Sequence, residues 1–438
     1  MVTIGTLLVI RPAPVRALLG DPSATPSPTA SPPPPESVLG DLAGTSPPTA
    51  AGLAAAVDRL AADPRVGQLS ASIVDVASGE SLYDRDGQTP KVPASVNKLV
   101  TAAAVLAARG PAHRLVTRAV QGSEPGEVVL VGAGDPTLAV DGGDTYRGAA
   151  RLDRLAEQVK RALGSARPAR VLVDSSVFTG PTLGPGWDSD IALYGYGAPI
   201  TGLMVNGGRV RPKQQAPRFR QPDLAAGQAF ARLLGVPPNA VTIGQAAQGA
   251  TELGSVRSLS VLRLVEIMLR DSDNVVAEAL ARQVALARGG EASFPGAARA
   301  VQEVLAELGL PTEQVRLSDG SGLSRDNRLT TALLAGLLSV AAGDDHATLS
   351  GLFAGLPVAG YSGTLHDRFI GESGAAVGLV RAKTGTLNGV SALAGVVPDA
   401  DGRLLSFSLI ANGVPGGAYA AELVLDRIAA ALAGCGCR

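Results

Sequence analysis

The sequence is poor in charged, aromatic and histidine residues, and these shortages remove several classes of function from consideration. Charged residues make up 18% of the 438 positions, aromatic residues 3%, and the formal net charge is −1. The basic residues form no cluster, so the composition gives no reason to expect a nucleic acid or an acidic polymer as partner. The three histidines are far apart and no H-E-x-x-H motif is present, so we expect neither a metal ion nor another cofactor.

The sequence has only two cysteines, Cys435 and Cys437, separated by one residue close to the end of the chain. A pair so placed cannot staple a core. The two cysteines either bond to each other or belong to a disordered tail.

Lysine is also scarce, and this scarcity directs attention to the few lysines that are present. Only five of the 38 basic residues are lysines, namely Lys91, Lys98, Lys160, Lys213 and Lys383. Arginine cannot lose its proton near neutral pH, whereas a buried lysine can lose it and then serve as a base. A chain that otherwise uses arginine is therefore expected to keep lysine where arginine would fail.

The first 49 residues show no pattern of a packed core. Residues 1–20 contain a short apolar run, and we interpret them as the remnant of an export signal or anchor. Residues 21–49 are rich in Pro, Ser and Thr, which predicts a disordered linker.

From residue 50 onward the abundant Ala, Gly, Val and Leu can fill a large core, and the length fits two domains. Helical and alternating patterns predict one domain from 50–111 together with 257–434. Its late half contains long helices and ends in a strand pair, predicted over 378–397 and 402–414, and a terminal amphipathic helix. The segment 112–256 has short strands around two helices, which predicts a smaller domain inserted into the first.

Three short motifs carry the chemistry: Ser95-x-x-Lys98, Ser272-Asp273-Asn274 and Lys383-Thr384-Gly385. Each is weak alone, because the first also fits a solvated helical turn, the second a helix cap and the third a strand edge. Together, each in suitable local structure, they predict a serine acyl-transfer site. Lys98 lies one helical turn after Ser95 and can act as its base if it is desolvated and kept neutral by a cationic neighbour.

These motifs resemble those of the low-molecular-mass class C penicillin-binding proteins, the D-alanyl-D-alanine carboxypeptidase/endopeptidase family known as peptidase family S13. The stretches "LSDGSGLSRDNRLT", "LPVAGYSGTLHDRF" and "RAKTGTLNGVSALAG" are also similar to the family's signatures. The resemblance extends from about residue 50 to about residue 430. It implies an α+β fold like that of penicillin-binding proteins and serine β-lactamases, an antiparallel sheet flanked by helices, with an inserted smaller α/β domain.

The resemblance also implies a catalytic role for five positions. Ser95 would form the acyl-ester, and Lys98 would take its proton. Ser272 and Asn274 would relay a proton to the leaving amine and orient the substrate amide. Lys383 would supply positive charge.

Three further positions correspond to substrate-binding residues of the family: Thr384, Gly385 and Thr386. Thr384 would bind the terminal carboxylate of the substrate. The backbone N–H groups of Ser95 and Thr386 would form an oxyanion hole. Asp190 is a weaker candidate that is equally compatible with an ordinary surface position.

The partners that the resemblance implies are the D-Ala-D-Ala end of peptidoglycan stem peptides, or the cross-link between stems, and β-lactam antibiotics. Action would be extracytoplasmic, by a secreted or membrane-tethered protein, with peripheral membrane association through the N-terminus. A serine β-lactamase and a catalytically silent cell-wall-binding protein remain as alternatives. The E-x-x-L-N loop of class A lactamases is absent, and the intact Ser95 and lysines argue against a silent protein. The segment between Lys98 and Ser272 is short for this family, so that a third small domain of many members is missing or reduced to a loop.

Overall fold

The structure is a computed structural model that describes residues 46–143, 145–212 and 216–437. The predicted export segment 1–20 and all but the end of the predicted linker 21–49 lie outside the described residues. Within the described part of the chain, no helix combines the length and apolar character that crossing a bilayer requires.

The described chain from residue 50 onward contains both strands and helices. The strands are β1 (Gln68–Asp75), β2 (Ser81–Arg85), β3 (Arg114–Gln121), β4 (Glu127–Val131), β5 (Arg170–Asp174), β6 (Val241–Ile243), β7 (Glu252–Ser260), β8 (Arg381–Leu387), β9 (Val390–Pro398) and β10 (Leu404–Asn412). The α-helices are α1 (Ala50–Ala61), α2 (Lys98–Arg109), α3 (Leu152–Leu163), α4 (Pro222–Leu234), α5 (Val261–Arg270), α6 (Asn274–Ala287), α7 (Phe294–Glu307), α8 (Thr331–Ala342), α9 (Gly351–Gly355) and α10 (Ala418–Ala433). Within the described residues, the first helix begins at residue 50, where the sequence predicts a helix.

The first sheet has the order β2-β1-β10-β9-β8, and every pairing in it is antiparallel. Strands β9 and β10 are apolar and buried along almost their whole length because helices cover both faces. Helices α1 and α10 pack on one face, against Phe407 and Leu409 among others. On the other face, Ala394 and Ile410 join a core formed with α2, α5, α6, α7 and α8. The predicted antiparallel sheet flanked by helices is therefore present.

The C-terminal part of this sheet differs from the sequence prediction in one respect. The stretch 378–397, predicted as one strand, forms the hairpin β8–β9, in which Leu387 pairs with Val390. The intervening Asn388-Gly389 is a turn in which Gly389 has a φ of +72°. Since Asn-Gly between apolar runs is a strong hairpin signal, the turn could have been recognised from the sequence.

The second sheet consists of strands from residues 114–260 alone, in the order β6-β5-β4-β3-β7. Strands β4, β5 and β6 are parallel, and α3 and α4 pack against them around a separate core that includes Leu155 and Phe230. Because this sheet begins after α2 and ends where α5 begins, we propose that it is the inserted domain. Strand β7 extends to Ser260, four residues past the predicted boundary, because its end pairs with Arg114 at the start of β3.

The C-terminal cysteines are ordered in the structure. Cys435 and Cys437 are joined by a disulfide, and Cys435 is buried in the core to which α1 and α10 contribute. The N–H of Thr49 donates a hydrogen bond of 2.7 Å to the carbonyl of Cys437. The interpretation of residues up to 437 as a disordered tail is therefore wrong, because packing against the start of α1 fixes them.

Candidate active site

Ser95 lies in a short 3-10 turn, Ala94–Asn97, that leads directly into α2. Residues 98–106 of α2 are all buried, so the helix runs through the centre of the domain. The turn is closely packed: a Cβ on Gly322 would lie 1.9 Å from the carbonyl oxygen of Ala94. The predicted nucleophile is thus held on a rigid, buried support.

The side chain of Lys98 is fully buried and reaches three acceptors. Its Nζ lies 2.9 Å from Ser95 Oγ, 2.6 Å from Asn274 Oδ1 and 2.7 Å from the carbonyl oxygen of Ser321. These acceptors come from three separate segments of the chain. The amine therefore has little freedom to move away from the serine hydroxyl.

Burial lowers the pKa of Lys98 to about 8 from its ordinary value of 10.5. The carboxylates of Asp319, Glu278 and Asp273 act in the opposite direction and limit the shift. The predicted cationic neighbour is therefore not what lowers the pKa of Lys98. Loss of hydration makes the charged form unfavourable, which is sufficient to supply a neutral amine in the weakly alkaline range.

The Ser272-Asp273-Asn274 motif forms the connection between α5 and α6, as predicted. Ser272 has a φ of +55°, and Asp273 caps α6 by accepting hydrogen bonds from the N–H groups of Val275 and Val276. The amide of Asn274 is oriented at both ends, because its Oδ1 accepts from Lys98 and its Nδ2 donates to the carbonyl of Tyr196 at 2.7 Å.

The Lys383-Thr384-Gly385 motif lies on β8, the edge strand of the first sheet. Lys383 is fully buried, and burial together with the charge of Lys98 lowers its pKa well below the usual value. Its Nζ donates to the carbonyl of Thr384 at 2.8 Å. A Cβ on Gly385 would lie 2.8 Å from the carbonyl oxygen of Pro93 and 3.1 Å from the nitrogen of Ser95. Glycine at 385 therefore lets β8 lie directly against the turn that carries the serine.

A cleft of about 1230 Å³ opens between these three motifs. It is lined by five of the predicted site residues: Ser95, Ser272, Asn274, Thr384 and Thr386. The remaining predicted residues, Lys98, Lys383 and Gly385, belong to the structure immediately behind its wall. The three motifs that are distant in sequence thus converge on one crevice.

Several residues near the site were not singled out by the sequence. Glu278 accepts hydrogen bonds from the N–H groups of Gly320 and Ser321, and Asp319 accepts from Gly322 and Trp187. The stretch 317–330 resembled a family signature, but no role was assigned to its residues. One signal was present: Glu278 is a carboxylate one helical turn after Asn274 on an otherwise largely apolar helix face.

A second unpredicted group connects the inserted segment to the Ser272-Asp273-Asn274 loop. Asp273 Oδ2 accepts from the Tyr146 hydroxyl at 2.7 Å and pairs with Arg209 at 3.2 Å, and all three side chains are buried. Burial alone would raise the pKa of Asp273, but Arg209 and Arg218 outweigh it and keep the pKa below its usual 3.8. The loop is therefore fixed by an ionised carboxylate that is buried and paired.

Residues outside the three motifs differ in whether they line the cleft. Asp190 is exposed and lines the cleft. Trp187 donates to Asp319 Oδ2 at 2.8 Å and packs edge-on against Phe294, so it anchors its loop to these two residues. Tyr361 and His366 are exposed and do not line the cleft. Among residues 46–143, 145–212 and 216–437, no group of three or more His, Cys, Asp or Glu side chains could hold a metal ion.

The family model and the relatives that match this chain agree with one another. The family model for the D-Ala-D-Ala carboxypeptidase 3 (S13) family matches residues 53–218 and 209–433. Carboxypeptidase Rv3627c of Mycobacterium tuberculosis is 44% identical over 398 residues, which cover 89% of this chain and 85% of that protein. Carboxypeptidase DacB of Mycolicibacterium smegmatis is 43% identical over 88% of this chain and 85% of its own length.

A solved structure identifies the fold. Penicillin binding protein 4 (dacB) of Haemophilus influenzae superposes with a TM-score of 0.72 over 86% of this chain and 97% of that chain, at 22% identity. This likeness confirms the α+β fold that the sequence predicts. With a family model spanning most of the chain and relatives above 40% identity along its length, the protein belongs to the D-Ala-D-Ala carboxypeptidase 3 (S13) family.

Proposed function

We propose that the protein is a serine D,D-peptidase that removes the terminal D-alanine from peptidoglycan stem peptides through an acyl-enzyme on Ser95. One observation carries this proposal: Ser95 Oγ opens onto the cleft at 2.9 Å from the amine of Lys98, which is fully buried. A hydroxyl nucleophile needs a base within hydrogen-bonding reach, and a desolvated lysine is such a base. Both mycobacterial relatives are named carboxypeptidases, which supports the carboxypeptidase reaction.

The acylation step begins when Ser95 Oγ attacks the carbonyl carbon of the penultimate D-alanine. The hydroxyl proton moves to Lys98 Nζ as the new C–O bond forms. The C–N bond to the last D-alanine then breaks, and its nitrogen receives a proton by way of Ser272, which lines the cleft beside Asn274. Water subsequently hydrolyses the ester and restores the serine hydroxyl.

The negative charge that develops on the carbonyl oxygen needs fixed donors. The backbone N–H groups of Ser95 and Thr386 are our candidates, because β8 lies against the nucleophile turn at Gly385. Such donors cost no reorganisation during the reaction, which makes them effective in a cleft shielded from water. We assign recognition of the terminal carboxylate to Thr384, whose hydroxyl is at the cleft wall, with the amine of Lys383 behind it.

The direct test is release of D-alanine from a synthetic stem peptide ending in D-Ala-D-Ala. We expect turnover of this peptide, no turnover of the matched peptide ending in D-Ala-L-Ala, and a stable adduct with a fluorescent penicillin. A β-lactamase would instead release hydrolysed penicillin rapidly without cleaving the peptide. A silent cell-wall-binding protein would neither cleave the peptide nor retain the label, and either outcome contradicts the proposal.

The rate of acylation is expected to rise with pH. Because Lys98 must be neutral to accept the serine proton and its pKa is about 8, the active fraction increases about tenfold per pH unit below pH 8 and levels off above it. The measurement is the second-order rate of penicillin acylation between pH 6 and 10. A rate that is flat across this range would contradict the role of Lys98 as base.

The substrate fixes where the enzyme acts. Peptidoglycan lies outside the cytoplasmic membrane, so the reaction proposed here is extracytoplasmic. We further propose that residues 1–20 direct export and that residues 21–49 separate the catalytic part from the membrane surface, in either a secreted or a tethered form.

A further inference from the structure

The segment 319–322 lies between the helix that carries the nucleophile and the helix that carries Asn274. Three of its successive carbonyl groups accept hydrogen bonds from the α2 side. The Asp319 carbonyl accepts from Asn97 Nδ2 at 3.1 Å, the Gly320 carbonyl from Thr101 Oγ1 at 2.7 Å, and the Ser321 carbonyl from Lys98 Nζ at 2.7 Å. The position of this segment therefore decides where one of the three acceptors of Lys98 lies.

The N–H groups of the same segment point the other way, toward Glu278 on α6. The Gly320 N–H donates to both carboxylate oxygens of Glu278 at 3.1 Å, and the Ser321 N–H donates to Oε1 at 2.8 Å. A Cβ on Gly320 would lie 2.5 Å from that of Ala281, so only glycine allows the segment to lie this close to α6. Glu278 is thus the group that fixes the segment from behind.

Glu278 is itself held firmly, although its environment does not favour a charge. The side chain is 1% exposed, and Arg282 pairs with it at 3.5 Å. The guanidinium of Arg282 is fully buried and stacks on the ring of Phe294 at 4.1 Å. A buried carboxylate with a cation and two backbone donors is costly to assemble. Its two backbone donors both belong to the segment 319–322, which this carboxylate therefore holds in place.

We propose that Glu278 is a positioning residue for Lys98: it holds the Ser321 carbonyl on the lysine amine and contributes a buried negative charge to the surroundings of this amine. This inference rests on the proposed function only in its kinetic part, because the placement of Lys98 is a property of the resting enzyme. Glu278 contacts neither Ser95 nor the cleft. It acts through the Ser321 carbonyl and through its field.

The electrostatic part involves every charged group that faces Lys98. Glu278, Asp319 and Asp273 favour the protonated amine of Lys98. Lys383 on the neighbouring strand is the other buried amine, and burial together with the charge of Lys98 lowers its own pKa. Burial and the charge of Asp319 raise the pKa of Glu278 to about 7, against a smaller opposing effect of Arg282. The charge of Glu278 is one of those that favour the protonated form of Lys98. Removing this one charge is expected to lower the pKa of Lys98 further, because only two carboxylates then counteract the effect of burial.

Two variants separate the charge from the geometry. Glu278→Gln keeps the length of the side chain but loses the charge and one of the two acceptor oxygens. Glu278→Asp keeps the charge but is one methylene too short to reach both N–H groups. Asp75→Asn is the control, since Asp75 is a fully buried carboxylate paired with Arg403 at the opposite end of β1 from the site.

The first measurement does not depend on activity. Because the chain has only five lysines, [ε-¹³C]lysine labelling gives few NMR signals, and Lys98→Met assigns the signal of Lys98. We expect the Lys98 titration midpoint to fall in Glu278→Gln, and to remain near the wild-type value in Glu278→Asp and Asp75→Asn. The second measurement is penicillin acylation at pH 9, where we expect a loss of about tenfold or more in both Glu278 variants and none in Asp75→Asn.

The possible outcomes are distinct. A folded Glu278→Gln variant with an unshifted midpoint and an acylation rate within about twofold of wild type would overturn the inference. Equal changes in Asp75→Asn would also overturn it, because they would reflect general loss of stability. If Glu278→Gln does not fold, the Glu278→Asp variant decides: an unchanged acylation rate contradicts the positioning role. A wild-type protein that forms no adduct while its Lys98 midpoint still shifts in Glu278→Gln would refute the proposed function and support the positioning role.

Discussion

Ser95→Ala is expected to abolish the covalent penicillin adduct and the release of D-alanine from stem peptides. The reason is that the cleft presents the Ser95 hydroxyl beside Lys98, and alanine offers no atom that can form an ester. Noncovalent binding of the peptide should be retained, because the substitution leaves Thr384 and Thr386 on β8 unchanged. Gel fluorescence with a labelled penicillin measures the adduct, and equilibrium binding of the uncleaved peptide measures the remaining site.

The matched control for this variant is Ser165→Ala, which removes an exposed serine hydroxyl in the loop after α3. We expect it to label at the wild-type rate. If Ser95→Ala retained the label, another nucleophile would have to be sought among the hydroxyls of the cleft, and the assignment of Ser95 would be wrong.

Lys98→Arg is expected to reduce the acylation rate by about 10³-fold or more while the protein stays folded. Arginine keeps the positive charge and the donors, but it cannot lose its proton in a protein and therefore cannot accept the proton of Ser95. The larger guanidinium must also enter a space in which Nζ already lies within 3 Å of three acceptors. Stopped-flow acylation measures the rate, and circular dichroism with thermal unfolding checks the fold.

Lys160→Arg is the control, because Lys160 is exposed on α3 and arginine replaces it without loss of contact. Lys98→Met adds a second test that avoids crowding, since methionine is close in size to lysine and carries no amine. Near-normal acylation in Lys98→Arg or Lys98→Met would show that another group takes the serine proton.

The sequence was informative where the signal is local. Helix α2 ends at Gly110, which has a φ of +76°, and Asp273 caps α6; both features follow from residue types at adjacent positions. In the segment 114–260 the sequence likewise predicted the strands β4 and β5 and the helices α3 and α4, but it did not identify β3, β6 or β7. The hairpin turn at Asn388-Gly389 could also be recognised from local residue types, but we predicted one continuous strand there.

The environment of Lys98 was harder to predict from the sequence, because it depends on residues that come into contact only after folding. The sequence led to the expectation that a cation would keep this lysine neutral. In the structure, burial lowers its pKa and the charges that oppose this shift are three carboxylates, two of them on segments that no motif identified as catalytic. Neither the burial nor the sign of the surrounding charge can be read from residues adjacent to Lys98.

By itself, the sequence determined which residue types were available for acyl transfer, the local structures that carry them and the order of the two predicted domains. These features depend on backbone preferences and on spacing along one helix or strand, which act over a few residues. Only the tertiary structure decided that Asn274 and Ser321, 176 and 223 positions away, meet the amine of Lys98, and that Glu278 fixes one of these contacts. The physical reason is that desolvation and hydrogen-bond geometry depend on three-dimensional packing, which a linear pattern does not specify.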